Sequence, residues 1–202
     1  MTDKQNIINK ASDLFLKYGY SKVTTDEIAG FAGISKKTLY NHFTNKEDLL
    51  VSVIDQIFST LETDLQEVLA GNANYKEKLR LVISAVSKAL SQLNHHFLQD
   101  IQVKMPIVWD DLVRRKETLV KKYFGQMLEE GRQQGLVRTD INPDVLMLML
   151  QISVEHLFDP QYILTLPKNM YPHIPANNQQ IFDNIIKILF SGFLNDEAKK
   201  KV

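Results

Sequence analysis

The residues best suited to chemistry lie in residues 33–46, a window that holds three lysines and no acidic residue. The polar side chains around those lysines carry hydroxyl, amide and imidazole groups. Lysines neutralise nucleic-acid phosphates and release counterions, and hydroxyl and amide groups bind phosphates or base edges. The window therefore predicts a DNA contact, although three lysines equally fit an ordinary solvated face.

The chain as a whole is electrically balanced. It has 202 residues, with 24 Lys and Arg against 24 Asp and Glu, so its formal net charge is zero. A neutral chain argues against a protein that coats nucleic acid without regard to sequence, but it leaves room for a local basic patch. The composition, 44% hydrophobic and 24% charged, is that of a globular protein and excludes a disordered or collagen-like chain.

Two short helices joined by a tight turn must position the polar window. Thr24, followed three residues later by Glu27, predicts a capping box that opens a helix over about residues 25–31. Gly33 supplies the turn, and Ser35 caps a second helix over residues 36–43. Two short helices around a glycine turn are typical of a helix-turn-helix, but helical hairpins in other proteins share the pattern.

The ends and inner face of the second helix can also be predicted. Leu39 and Phe43 stand four residues apart and form its inner face. Asn45 and Asp48 resemble a capping box that opens the next helix. Free amides at Ser35 and Asn45 favour a bound phosphate.

A longer pattern covers about 45 residues. It reads Ile8-x-x-Ala11-x-x-Leu14-Phe15-x-x-x-Gly19-Tyr20-x-x-Val23-Thr24-Thr25-x-x-Ile28-Ala29-x-x-Ala32-Gly33-Ile34-Ser35-x-x-Thr38-Leu39-Tyr40-x-His42-Phe43-x-x-Lys46-Glu47-x-Leu49-Leu50. It resembles the N-terminal DNA-binding domain of the TetR family of bacterial transcriptional regulators. The resemblance implies a homodimer that binds a palindromic operator on double-stranded DNA, most often as a repressor that a small effector releases.

The resemblance also assigns roles by position. The family residues that contact DNA phosphates are matched by Thr25, Tyr40, His42 and Lys46. The positions that vary with operator sequence, and are therefore candidates for base reading, are Lys36, Lys37, Thr38 and Asn41. A lysine among them suits guanine O6 and N7.

Helical periodicity continues beyond this pattern and predicts an all-α fold. We expect a DNA-binding domain over residues 1–48 and a larger helical domain for dimerisation and effector binding over residues 49–202. The longest dense apolar run has six residues, too few for a membrane span. With no cysteine and no signal peptide, the expected location is the cytoplasm of a bacterium, at the nucleoid when DNA is bound.

The dimer surface is predicted on the last two helices. Residues 145–150 are apolar all round, so two sides of that helix must be covered. A bundle between two subunits would cover them, as would burial inside one subunit. The predicted interface residues are Leu146, Leu150, Ile181, Ile185 and Leu189. On this hypothesis, a charge at Leu150 gives monomers.

The middle of the chain concentrates aromatic and methionine side chains. An effector pocket of the family type would be lined by Phe97, Met105, Trp109, Tyr123, Phe124 and Met127. Such a stripe at helical spacing is more often plain core, so both interpretations stay open. The pocket would take an apolar or aromatic molecule.

The sequence favours no catalytic, cofactor or metal site. His96 and Asp100 stand four residues apart, and a polar helix start explains them better than a metal site. We therefore expect no enzyme activity. The competing hypothesis is a DNA-binding architectural or division regulator of the same fold that has no effector.

Overall fold

The computed structural model is built from α-helices, which confirms the predicted fold class. The described residues are 3–93, 95–158, 162, 167, 169, 172–175 and 178–193. The density of prolines predicts a loop over residues 159–178, and the charged run over residues 197–201 predicts a fraying end. Most of that loop and all of that end lie outside the described residues. Within the described residues, no helix has the length and apolar character needed to cross a membrane.

Eleven helical segments lie within the described residues. Their bounds are α1 Asp3–Tyr18, α2 Thr25–Ala32, α3 Lys36–His42, α4 Lys46–Ala70, α5 Tyr75–Gln92, α6 His95–Lys104, α7 Pro106–Leu119, a π-helical turn Val120–Phe124, α8 Gly125–Gln133, α9 Pro143–Phe158 and α10 Asn178–Phe193.

The chain divides into two compact units. The first runs from Met1 to Thr60 and adds Gln92–Leu112, and the second consists of Leu61–Ser91 and Val113–Val202. The chain passes between the units at three points, which lie within α4, at the last residue of α5 and within α7. The domain boundary predicted at residue 48 lies near the start of α4 and stays a prediction.

In the first unit, α1 packs against α2 and α6, and α2 packs against α3. The centre of this packing is apolar, with Ile7, Phe15, Ile28, Leu39 and Leu50 completely inaccessible to solvent. Leu39 is the buried side chain of α3, and the other face of this helix is polar. The packing of Leu39 into the apolar centre fixes which face of α3 is exposed.

In the second unit, α5 begins against α8. Tyr75, only 3% exposed, lies so close to Gly131 that a Cβ atom at Gly131 would stand 2.5 Å from the Tyr75 hydroxyl oxygen and 2.7 Å from Val137. Lys78 Nζ also reaches Glu130 at 3.1 Å. Gly131 is therefore required by close packing rather than by backbone conformation.

The last two helices, α9 and α10, pack against each other in the second unit. The pair Asn142-Pro143 in the sequence predicts a helix cap followed by a first turn. Asn142 does cap α9, because its side-chain oxygen accepts a hydrogen bond from the Asp144 amide at 2.8 Å. The inward face of α9 includes Leu146 and Leu150, which are 5% and 4% exposed. The outward face is also apolar, and its residues are Val145, Leu148, Met149 and Ile152.

The spacing of apolar residues from Trp109 onwards predicts one long helix that ends at Gly135, but in the structure this stretch contains a π-helical turn. The π-helical turn Val120–Phe124 separates α7 from α8. The periodicity of apolar residues gives no sign of such a turn, because a single inserted residue shifts the register by only one position. The break predicted near Pro106 is confirmed, since α6 ends at Lys104 and α7 begins at the proline.

Candidate nucleic-acid interface

The first turn of α2 is held by a reciprocal pair of hydrogen bonds. Thr24 Oγ1 accepts from the Glu27 amide at 3.2 Å, and the Glu27 carboxylate accepts from the Thr24 amide at 2.7 Å. These bonds lower the pKa of Glu27. The predicted capping box is confirmed. Gly33 then ends α2 with a φ of 70°, a left-handed conformation that favours glycine.

Side-chain caps also fix the start of α3 and α4. Ser35 Oγ accepts from the Thr38 amide at 3.0 Å, and Asn45 Oδ1 accepts from the Asp48 amide at 2.8 Å. The predicted box between Asn45 and Asp48 is half right. The Asp48 carboxylate accepts from the Thr44 amide at 2.9 Å, one residue earlier than predicted.

Two of the predicted phosphate contacts lie side by side. The hydroxyl oxygens of Thr25, in the first turn of α2, and Tyr40, on α3, stand 3.3 Å apart. Tyr40 is 45% exposed. The two hydroxyls are therefore close enough to donate hydrogen bonds to the same anion, beside the backbone amides of the first turn of α2.

The first residue of α3, Lys36, is paired. Its ammonium lies 2.9 Å from the Asp26 carboxylate, in the first turn of α2. Asp26 raises the pKa of Lys36 through this hydrogen bond and through its charge. The pair brings together the N-terminal ends of α2 and α3.

The other base-reading candidates lie along α3. Lys37 and Asn41 are exposed and stand four residues apart, so they share one face of the helix. Thr38 is half-buried, and its hydroxyl lies 2.9 Å from that of Ser35. His42 is half-buried, with its ring 6.5 Å from the Phe43 ring.

Lys46 is placed differently from the other candidates. Its ammonium donates to the Tyr20 carbonyl oxygen at 2.5 Å and lies 4.1 Å from the centre of the Tyr20 ring. Burial lowers the pKa of Lys46, while the charges of Asp100 and Glu27 oppose that change. A phosphate contact by Lys46 requires this ammonium to leave the carbonyl or to share it.

Sequence reasoning missed two acidic residues of this region. Asp26 was passed over because its partner Lys36 is ten residues away and meets it only through the helix-turn-helix geometry. Asp100, on α6, accepts hydrogen bonds from the Ser21 amide and from the Ser21 hydroxyl, the latter at 2.5 Å. A separation of 79 residues leaves no local signal for that contact.

The six predicted effector residues fall in both units. Phe97, Tyr123, Phe124 and Met127 are buried, whereas Met105 and Trp109 are half-buried. The structure describes a cavity of about 450 Å³ beside Tyr18 and Asp100, and another of about 490 Å³ beside Val68 and Lys88. Neither of these two cavities is lined by any of the six residues, whose role stays a prediction.

Comparison with known proteins places this geometry in a family. Residues 7–53 match the sequence model of the bacterial regulatory proteins of the tetR family. The chain is 24% identical over 197 residues to the uncharacterised HTH-type transcriptional regulator YvaF of Bacillus subtilis, with 96% of each chain covered. It is 28% identical over 147 residues to the HTH-type transcriptional repressor DhaR of Mycobacterium sp., covering 71% of this chain and 74% of the relative.

A solved structure shares the fold over almost the whole length. The fatty acid degradation regulator FadR from Bacillus halodurans superposes with a TM-score of 0.66 at 17% identity, and the match covers 95% of this chain and 96% of that one. The relatives are transcriptional regulators and not enzymes. Residues 7–53 therefore have the sequence of a tetR-family DNA-binding region, and over its length the chain is similar to HTH-type regulators of transcription.

Proposed function

We propose that this protein is a homodimeric repressor that binds a palindromic operator through α3 of each subunit and is released by a small apolar or aromatic effector. The observation that carries the proposal is the outer face of α3, which is polar and cationic in a chain of zero net charge. A relative that is named as a repressor, DhaR, supports the direction of the response.

Phosphate binding is assigned to the paired hydroxyls of Thr25 and Tyr40. They stand 3.3 Å apart, so one phosphate oxygen can accept from both. The free amides at the start of α2 add to the attraction, because the N-terminal end of a helix carries a partial positive charge. Contacts of this kind set the register of the protein on DNA and carry no sequence information.

Base reading is assigned to the exposed side chains of α3. Lys37 and Asn41 share one face of that helix, and Lys36 stands at its first turn. An α3 of seven residues is about 10 Å long, so one copy reads few bases. Two copies on a palindrome supply the missing specificity, with half-sites about 34–36 Å apart or a multiple of that distance.

The dimer is assigned to the outward faces of α9 and α10, and the residues differ from those that the sequence suggested. Leu146, Leu150, Ile181 and Leu189 are at most 8% exposed within one subunit, and Ile185 is half-buried, so these side chains pack inside the subunit. The outward residues of α9 recur at the spacing of one helical face and are 43–54% exposed. They are Val145, Leu148, Met149 and Ile152, joined on α10 by Ile188 at 72% exposed.

This apolar stripe favours a second copy of the chain as its partner. Its four members on α9 and one on α10 are large aliphatic or methionine side chains, which are costly to leave in water. A two-fold axis beside α9 would place the stripe against itself, which is how a closed dimer hides one repeated patch.

The effector acts, on this proposal, by preferring a subunit arrangement that misplaces the two α3 helices on the operator. The coupling is commonly about 1–3 kcal/mol. The single tryptophan, Trp109, is half-buried and gives a direct readout. Quenching of its fluorescence by an apolar ligand, together with loss of DNA binding, supports an effector-controlled repressor. A DNA affinity that no ligand changes favours an architectural or division regulator without an effector.

The test is capture of sheared genomic DNA by the purified protein, followed by sequencing. We expect a few palindromes beside promoters. Tyr40→Phe should weaken the binding of every captured sequence by about threefold to tenfold, the contribution of one hydrogen bond. Tyr18→Phe is the matched control, because Tyr18 is similarly exposed at 49% but lies at the end of α1. No enrichment, or an equal loss in both variants, contradicts the proposed interface.

A further inference from the structure

The ion pair between Asp26 and Lys36 occupies an unusual place for a surface pair. Asp26 stands in the first turn of α2, and Lys36 is the first residue of α3. The carboxylate and ammonium are 2.9 Å apart, while their side chains remain 67% and 51% exposed. Such exposed pairs add little to the stability of a fold. The position of the pair therefore calls for a role other than stability.

The position of Lys36 is that of a base reader. Side chains at the N-terminal end of a recognition helix contact base edges in the major groove. A lysine is a poor reader on its own, because its charge is carried on a flexible four-carbon stem and is equally satisfied by a phosphate. A reader that is held in place before DNA arrives loses less conformational entropy on binding.

Asp26 can supply that restraint. A lysine ammonium has three N–H donors and no acceptor. With one N–H directed to Asp26, two remain, which matches the two acceptors O6 and N7 of a guanine. The hydrogen bond and the charge of Asp26 raise the pKa of Lys36, which keeps the ammonium protonated.

We propose that Asp26 is a positioning residue for sequence recognition, which holds the Lys36 ammonium so that it reads a base rather than a phosphate. This inference rests on the proposed DNA-binding function of α3. It assigns to Asp26 an indirect role, since the carboxylate acts through Lys36. Because a carboxylate near DNA repels phosphates, Asp26 lowers overall affinity in exchange for discrimination at one base position.

The test compares base preferences selected from a random duplex library by the wild type, Asp26→Ala, Lys36→Ala and Asp13→Ala. Lys36→Ala should lose the preference at one symmetric position of each half-site. Asp26→Ala should lose the preference at the same position. Asp13→Ala, which removes an exposed acid of α1 near Lys10, should keep every preference. Melting temperatures of all variants should stay within a few degrees of the wild type.

A second measurement separates positioning from charge alone. On a mixed-sequence duplex, Asp26→Ala should bind several-fold more tightly and show a salt dependence steeper by about 0.9 in log–log slope, because the released Lys36 reaches a phosphate. Tighter binding with unchanged base preferences would make Asp26 a simple repulsive charge and overturn the inference. A wild type that selects no sequence at all would instead contradict the proposed function itself.

Discussion

The outer faces of α3 and α9 are both exposed to solvent, but the residues of the first are polar and those of the second are apolar. The face of α3 carries lysine, tyrosine and asparagine side chains, and the helix lies between the caps Ser35 and Phe43. Between residues 145 and 152, the outward face of α9 carries large apolar side chains at Val145, Leu148, Met149 and Ile152. A polar cationic face fits nucleic acid, whereas an apolar face fits another protein surface.

The exposure of a side chain indicates a function more directly when the side chain is apolar than when it is polar. An exposed tyrosine or lysine on α3 is expected for any helix in water, so its meaning depends on the surrounding helix-turn-helix. An exposed stripe of four apolar residues on α9 is costly by itself, and it therefore indicates a missing partner without any reference to a family.

The largest effect should come from a charge on the outer face of α9. Leu148→Glu should raise the dimer dissociation constant by roughly 100-fold or more, about 3 kcal/mol, because an unpaired carboxylate would be buried at the interface. Sedimentation velocity over a concentration series measures this. The monomer should keep its helical circular dichroism, since Leu148 is 54% exposed in one subunit.

The matched control is Leu150→Ala on the opposite face of the same helix. Leu150 is 4% exposed, so its truncation should cost about 2–5 kcal/mol of fold stability. The charge at Leu150 that the sequence suggested for making monomers would test the fold rather than the dimer. A Leu148→Glu protein that still sediments as a dimer would remove α9 from the interface.

The next largest effect should come from the interior of the second unit. Gly131→Ala places a Cβ atom within 2.7 Å of Tyr75 and Val137, so we expect a loss of about 3 kcal/mol in the free energy of unfolding. Gly125→Ala is the control, because a Cβ there meets nothing within 4 Å. Its stability in urea should stay equal or rise by up to about 1 kcal/mol; equal losses in both variants would contradict the tight packing.

A smaller effect should separate stability from DNA contact within α2. Thr24→Ala removes the cap and should cost about 1 kcal/mol of stability, measured by thermal unfolding. Thr25→Ala, one residue on, should leave stability nearly unchanged and weaken DNA binding a few-fold, because its hydroxyl lies beside that of Tyr40. If Thr25→Ala lost stability and Thr24→Ala lost only DNA affinity, Thr24 would not be the cap and Thr25 would not be the DNA contact.

The smallest effect should be a dependence of stability on pH through Glu27. Hydrogen bonds from Thr24 hold the pKa of Glu27 below its ordinary value of 4.5. A depressed carboxyl pKa adds stability above the ordinary value, and this is lost as the pH falls through the folded-state pKa. Glu27→Gln should therefore flatten the fall in melting temperature below pH 4.5. An identical pH profile in both proteins would deny Glu27 that role.

The sequence was most informative where short-range rules apply. The caps at Thr24, Ser35 and Asn142 are local patterns, and the structure confirms them. The fold class follows from the apolar period of the helices in the same way. These features need only neighbouring residues, so one sequence is enough to predict them.

Long-range features could not be predicted in this way. The interface proposed on α9 differs from the one predicted from the sequence, because residues 145–150 are apolar all round and the period alone cannot choose between two apolar faces. The pairing of Asp26 with Lys36 depends on the turn between two helices, and that of Asp100 with Ser21 on the packing of α6 near α1. The contact between the Lys46 ammonium and the Tyr20 carbonyl oxygen joins residues 26 positions apart and likewise has no local signal.

The most direct test of the account is a hydroxyl-radical footprint of the wild-type protein on a duplex that it selects. We expect two symmetric protected regions whose centres lie about 34–36 Å apart, or a multiple of that distance, as two α3 helices on one face of the DNA require. A single asymmetric protected region, or uniform protection along the duplex, would contradict recognition by a pair of α3 helices.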